Sequence, residues 1–139
     1  MSVDSAGMAA RLGIKPGMVV QELGWDEDAD EELRDAIVDL SGGEMVDEDT
    51  DEVADVVLLW WREDDGDLVD ALVDAIASLA DDGVVWLLVP KSGRPGHVEP
   101  GDVTEAAPTA GLSQTSSISA AKDWSGIRLV TPKAARTRR

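Results

Sequence analysis

The chain has 139 residues, a formal net charge of −17 and a hydrophobic fraction of 43%. That length predicts one domain around a single core, and the absence of cysteine excludes disulfides, thiol nucleophiles and thiolate metal sites. Because His97 is the only histidine, an ordinary zinc site is not expected, and no stretch approaches the ~20 apolar residues of a membrane-spanning helix.

Acidic residues are concentrated in the first two thirds of the chain. Residues 22–82 contain 24 acidic and two basic side chains, whereas the residues after Gly83 are net basic. Such an acidic surface repels nucleic acids and anionic membranes over about 8 Å at physiological salt. The charge distribution therefore favours a protein partner with a basic surface.

The two ends of the chain carry few structural signals. Residues 1–20 contain no continuous apolar run after a charged start, so the sequence predicts no signal peptide and a cytoplasmic location. Residues 133–139, KAARTRR, are expected to form a disordered basic tail after a single α/β domain at residues 1–132. Nucleic-acid binding would have to use this tail, and it is the least favoured partner class.

The first third of the chain alternates between helix and strand patterns. Residues 5–17 predict a short helix or turn, and MVVQEL at 18–23 predicts a buried strand. Either Asp28 or Asp30 can cap a helix that runs to about Leu40 and stops at the following Ser-Gly-Gly. EMV, at 44–46, is compatible with a very short strand.

The alternation continues through the rest of the chain. ADVVLLWW at 54–61 is rich in apolar residues and VVWLLVP at 84–90 is a continuous apolar run, patterns typical of parallel strands buried on both faces. A helix from about Asp67 to Ala80 joins them. Asp102 and Glu105 have capping-box spacing for a helix that ends at Gly111. LSQTSSIS (112–119) and GIRLVTP (126–132) predict two antiparallel strands.

These elements predict a small Rossmann-like α/β fold, a three-layer sandwich. Its mostly parallel sheet would have five to six strands, with right-handed crossovers and an antiparallel pair at the C-terminus. Open sheets of this class bind ligands beyond the carboxyl ends of their strands. Candidate binding residues are therefore expected at those ends.

The turn after the first strand keeps one glycine, Gly24, where a phosphate-binding turn needs several. Trp25, Asp26 and the acids that follow would repel phosphate, and their simplest role is to complement the dipole of the next helix. This turn therefore resembles a phosphate-binding turn in which acidic residues occupy the positions of the glycines.

Two further segments lie at predicted strand ends. Trp60 and Trp61 are adjacent, so they should point to opposite faces, and one of them could line a ligand crevice beside Arg62. Lys91, Arg94 and His97 form a basic cluster, and its two bases could meet an anion or a carboxylate. The alternative roles are packing for the tryptophans and a solvated loop for the bases.

The acidic repeats do not predict a metal site. Residues 26–30 and 47–51 place aspartates at alternate positions, as a calcium loop does. Such a loop also needs glycine at its sixth position and a bidentate glutamate at its twelfth, and neither segment supplies them. Only loose binding of divalent cations is compatible with these segments.

The order of elements resembles a truncated, degenerate class I S-adenosylmethionine methyltransferase. Three segments carry this resemblance: LGIKPGMVVQELGW (12–25), ADVVLLWW (54–61) and LADDGVVWLLVPK (79–91). Glu22 and Gly24 match the acid and the first glycine of that family's first motif, whereas Trp25 and Asp26 depart from it. Asp47 could match the acid that holds ribose hydroxyls, but its segment is too short for the family's second and third strands.

The whole chain also resembles the actinobacterial family called domain of unknown function 3052. The resemblance rests on GIKPGMVVQELGWD (13–26), LLWWR (58–62) and DWSGIRLV (123–130). It implies a bacterial origin and no established activity.

Two function hypotheses follow. The first is a non-catalytic regulatory or protein-interaction module without cofactor, metal or catalytic residue. The second is a small-molecule binder, for S-adenosylmethionine or a nucleotide-like ligand, or a weak methyltransferase. The candidate ligand-binding residues are Glu22, Gly24, Trp25, Trp60, Trp61, Arg62, Lys91 and Arg94.

Overall fold

One five-stranded sheet organises the chain. The computed structural model describes residues 5–131. In chain order these residues form α1 (Ser5–Arg11), β1 (Val20–Leu23), α2 (Glu31–Ser41), β2 (Ala54–Trp60), a 3₁₀ turn (Glu63–Asp65), α3 (Leu68–Ile76), β3 (Leu79–Pro90), α4 (Pro100–Thr109), β4 (Ser113–Ser119) and β5 (Trp124–Val130). The predicted tail at 133–139 lies outside the described residues.

The strands lie in the order β1-β2-β3-β5-β4. The pairs β1–β2 and β2–β3 are parallel, whereas β3–β5 and β4–β5 are antiparallel. The predicted α/β class, the strand number and the C-terminal antiparallel pair are therefore confirmed. No helix in the described part of the chain is both long and apolar enough to cross a membrane.

Helices cover both faces of the sheet. On one face α1 and α2 pack against alternate strand residues that include Leu58, Trp60 and Trp86. On the other face α3 and α4 pack against the intervening residues, such as Val57 and Leu59. Burial on both faces explains why the β2 sequence is continuously apolar from Val56 onward rather than alternating. Trp61 belongs to the second face, so the two adjacent tryptophans do point in opposite directions.

Aspartates begin two of the helices. Asp30 caps α2, since its Oδ1 accepts a hydrogen bond of 2.8 Å from the backbone N–H of Leu33. The helix ends at Gly42, whose φ of 86° closes the last turn. Asp67 caps α3 in the same way. Of the two predicted caps for α2, the structure selects Asp30.

Two predicted helix boundaries are wrong. Helix α4 begins at Pro100, and the side chain of its N-cap residue, Glu99, makes no capping hydrogen bond, so Asp102 and Glu105 form no capping box. Proline suits the first helical position because its missing N–H would have no helical partner there. Helix α3 ends at Ile76 rather than Ala80, because Leu79 already pairs with Ala54 as part of β3.

The predicted short strand at 44–46 is also wrong in extent. Only Val46 pairs, as an isolated parallel bridge to Gln21 on β1. Its backbone accepts a bond of 2.8 Å from Glu22 and donates one of 2.9 Å to Val20. Because β2 occupies the other side of β1, this bridge covers the edge at which a further strand would continue the sheet.

Candidate functional site

The carboxyl ends of β1 and β2 lie side by side and touch through their backbones. Gly24, directly after β1, has φ of 75°. A Cβ at this position would lie 2.3 Å from the carbonyl oxygen of Trp60 at the end of β2. Glycine is therefore required here for both conformation and space. The predicted binding turn has a glycine because a neighbouring strand approaches, independently of any phosphate.

Glu22 is held by two side chains from the protein itself. Arg34 on α2 donates from Nε and Nη2 to the two carboxylate oxygens, at 2.6 and 2.7 Å. The indole N–H of Trp60 donates to Glu22 Oε2 at 2.9 Å. The side chain of Glu22 is only 11% exposed. Its hydrogen bond with Arg34 is the main cause that raises the arginine pKa above its ordinary value. Both oxygens are therefore engaged before any ligand arrives.

Arg62 lies just beyond β2, and its side chain contacts five other residues. Its Nη1 donates to the carbonyl oxygens of Gly24 (2.7 Å) and Trp60 (3.2 Å) and pairs with Asp65 at 3.2 Å. Its Nε donates to Asp28 Oδ2 at 3.0 Å, and its Nη2 donates to the other oxygen of that carboxylate. The guanidinium carbon lies 5.2 Å from the ring centroid of Trp124.

This set of contacts, which we call the Arg62 clamp, has electrostatic consequences. The Arg62 side chain is 12% exposed, so its charge is largely removed from water. Burial alone lowers the pKa of Arg62, but hydrogen bonds to Asp28 and Asp65 bring the net change above the ordinary value. The hydrogen bond from Arg62 in turn lowers the pKa of Asp28. Arg62 and Asp28 therefore stay ionised at neutral pH.

A cavity of about 420 Å³ opens beside the clamp. Its walls include Leu23, Gly24, Trp25, Trp60, Trp61 and Arg62. Trp25 is 49% exposed, and its indole N–H donates to Glu31 at 3.2 Å. Trp61 is 8% exposed, and its indole N–H has no acceptor within the described residues. Five of the predicted ligand-binding residues thus share one cavity at the strand ends.

The structure does not bring Lys91 and Arg94 into this cavity. Lys91 donates to Ser119 Oγ at 2.6 Å, and Arg94 pairs with Asp123 at 3.2 Å. Both lie near the β4–β5 turn. His97 follows them, and its Nδ1 lies 2.9 Å from the carbonyl oxygen of Pro90.

A second cavity, of about 450 Å³, lies between the start of α2 and the β4–β5 turn. It contains none of the predicted ligand-binding residues. We assign the candidate site to the cavity at the ends of β1 and β2, because open sheets bind ligands beyond the carboxyl ends of their strands.

Two members of the site were not predicted from the sequence, Asp28 as a clamp partner and Trp124. The indole N–H of Trp124 donates to the carbonyl oxygen of Asp28 at 3.1 Å, and its ring meets Trp60 edge to face at 4.8 Å. The two partners are 96 residues apart in the chain. No local pattern signals such a contact.

Within residues 5–131, no group of three or more histidine, aspartate or glutamate side chains could hold a metal ion. The alternating aspartates after β1 instead have separate structural roles. Asp26 accepts a bond from the backbone of Glu27, Asp28 pairs with Arg62 and Asp30 caps α2.

A family model described as "Protein of unknown function (DUF3052)" matches residues 9–133. An uncharacterized protein of Mycobacterium tuberculosis is 58% identical over 129 residues, which cover 93% of this chain and 81% of that protein.

Solved structures of similar fold include methyltransferases. A SAM-dependent methyltransferase from Aquifex aeolicus has a TM-score of 0.62 and 14% identity, covering 91% of this chain and 88% of that one. A TehB-like SAM-dependent methyltransferase from Corynebacterium glutamicum has a TM-score of 0.56 and 13% identity, covering 94% and 89%. At these identities the likeness shows the fold alone.

Proposed function

The chain belongs to the DUF3052 family of proteins of unknown function, and from its own site we propose that it is a non-catalytic regulatory or protein-interaction module. Its partner would be a protein with a basic surface, met at the edge where β1 and β2 end. A cytoplasmic location is part of this proposal and stays a prediction from the sequence.

The observation that carries the proposal is the engagement of the polar groups at these strand ends by the protein itself. Glu22 is bound by Arg34 and Trp60, and Arg62 is bound within the clamp. These two side chains therefore have little capacity left to hold a cofactor.

The groups that remain free around the site are mostly carboxylates. Four exposed ones accept no hydrogen bond and form no ion pair within the described residues: Glu48, Glu63, Asp70 and Asp74. Complementary charge of this kind speeds and selects protein encounters more than it adds affinity. The same charge disfavours nucleic acid and anionic membranes as partners.

The residues present do not fit S-adenosylmethionine well. Arg62 is the only basic residue that lines the cavity, and its guanidinium is already shared among several acceptors. A cofactor carboxylate would therefore lack a free cationic partner. Trp25 and Asp26 also stand where the methyltransferase motif has small residues.

A capture experiment tests the proposal. Purified protein is immobilised and exposed to a mycobacterial lysate beside a variant with Glu48→Gln, Glu63→Gln, Asp70→Asn and Asp74→Asn. A matched variant carries Asp39→Asn, Glu44→Gln, Asp102→Asn and Glu105→Gln, which remove the same charge elsewhere. We expect a basic protein to be captured by the wild type and the matched variant, and about tenfold less by the first variant.

Capture should also weaken as salt is raised, because surface charges are screened. The proposal fails if no basic protein is retained by the wild type. It fails equally if both variants lose the captured protein to the same extent, because net charge alone would then explain the binding.

A second candidate function is small-molecule binding, with weak methyl transfer as its extreme form. The cavity volume favours it, because ligand sites commonly measure about 300–1,000 Å³ and are lined by aromatic side chains. In this case Trp25 or Trp61 would stack on a base.

A further inference from the structure

The cavity at the ends of β1 and β2 combines indole rings with carboxylates. We propose that it receives the guanidinium side chain of an arginine on the partner protein. This inference rests on the proposed function and adds to it the residue type that the cavity recognises.

The charge of the cavity selects a cation. Four carboxylates line it: Asp26, Glu48, Asp65 and Asp74. Two of them, Glu48 and Asp74, have no hydrogen-bond or ion-pair partner within the described residues. Arg62 is the single basic side chain in the lining and is occupied by the clamp. An anionic ligand would therefore be repelled, whereas a cation would find two free carboxylates.

The aromatic rings favour guanidinium over ammonium. A guanidinium is planar, stacks on aromatic faces and is less strongly hydrated than an ammonium, so it loses less on entering a partly enclosed cavity. The protein already builds this contact twice at the same edge. Arg34 lies 5.6 Å from the ring centroid of Trp25, and Arg62 lies 5.2 Å from that of Trp124. Trp25 and Trp61 supply the indole rings for a third contact.

One indole donor points to a peptide rather than a free amine. Trp61 is 8% exposed as a residue and lines the cavity, and its indole N–H has no acceptor within residues 5–131. A ligand that brings an acceptor to this N–H gains a hydrogen bond and therefore affinity. The backbone carbonyl oxygens beside an arginine on a protein partner are such acceptors.

The test uses tetra-arginine, acetylated and amidated, with tetra-lysine and tetra-citrulline as controls of charge and shape. Binding is followed by the indole N–H signals of isotope-labelled protein. We expect signals of Trp25 and Trp61 to shift, and tetra-arginine to bind about fivefold more tightly than tetra-lysine. Trp86 is the internal control, because its indole N–H donates to the carbonyl oxygen of Leu12 in the core.

Two variants of equal charge locate the contact. Glu48→Gln with Asp74→Asn should weaken tetra-arginine binding about tenfold, because it removes the free carboxylates of the cavity. Asp102→Asn with Glu105→Gln, on α4, should change it less than about twofold. An unchanged Trp86 signal shows that each variant is folded.

Several results would overturn the inference. Equal weakening by both variants would indicate diffuse attraction to an acidic surface; the cavity assignment would fall while the proposed function stood. Equal binding of tetra-citrulline, or no shift at Trp25 and Trp61 with millimolar tetra-arginine, would also reject an arginine site. Failure of the wild-type protein to retain any basic protein in the lysate experiment, in contrast, would reject the proposed function itself.

Discussion

Replacing Gly24 with alanine should destabilise the protein by roughly 2–5 kcal/mol. The added Cβ would meet the carbonyl oxygen of Trp60 at 2.3 Å, and the residue would keep a φ of 75° that L side chains rarely adopt. The obstacle is backbone, which cannot rotate away as a flexible side chain would. Urea-induced unfolding followed by tryptophan fluorescence measures the loss.

Gly42→Ala is the matched control. Gly42 also has a positive φ, 86°, but a Cβ there meets nothing within 4 Å. The Gly42→Ala substitution should therefore lower the free energy of unfolding by only about 1–2 kcal/mol, which is the strain of the left-handed conformation alone. If Gly24→Ala costs no more than Gly42→Ala, the close contact between the ends of β1 and β2 does not exist in solution.

Arg62→Ala should destabilise the protein by about 2–4 kcal/mol. The change leaves the carbonyl oxygens of Gly24 and Trp60 and the carboxylates of Asp28 and Asp65 without their shared donor. Arg62→Lys keeps the charge but has no planar fork, so it should restore less than half of the loss. Thermal and urea unfolding measure the stability of the wild type and of both Arg62 variants.

Arg94→Ala is the control for Arg62. Arg94 is 53% exposed and makes one ion pair, with Asp123, so its removal should cost about 1 kcal/mol or less. Equal losses at Arg62 and Arg94 would show that the clamp does not hold the strand ends together.

The clamp also predicts a pH effect. Because folding lowers the pKa of Asp28, chiefly through its bond with Arg62, the pair stabilises the fold at neutral pH. That contribution should fade as the pH falls below the ordinary value of 3.8 and through the lower folded pKa. In Arg62→Ala, a carboxyl NMR titration should find the pKa of Asp28 nearer its ordinary value.

Much of the architecture could be predicted because it follows from local patterns. The apolar runs of β2 and β3 predicted burial on both faces, and Asp30, one of two candidate caps, begins α2. The boundaries of α3 and α4 could not be predicted in the same way. Pairing of Leu79 with Ala54 ends the first, and the φ of a proline begins the second. Tertiary pairing thus overrides helical periodicity at such ends.

The candidate site was predictable in part for a similar reason. Two groups of predicted residues lie at the carboxyl ends of paired strands: Glu22, Gly24 and Trp25 at the end of β1, and residues 60–62 at the end of β2. Their proximity is a consequence of the strand pairing. The role of each was not predictable. Trp124 and Asp28 are 96 residues apart in the chain, yet they contact each other and Arg62 at this site. Lys91 and Arg94 follow the end of β3 instead, where they contact residues near the β4–β5 turn.

We propose that the cavity at the ends of β1 and β2 serves a protein partner and holds no methyl-donor cofactor. The most direct test is a titration of labelled protein with S-adenosylmethionine and S-adenosylhomocysteine, observed through backbone amide signals. We predict no localised shifts at millimolar ligand in residues 22–26 or 60–62. Saturable shifts confined to those two segments would contradict the claim and establish the cavity as a cofactor site.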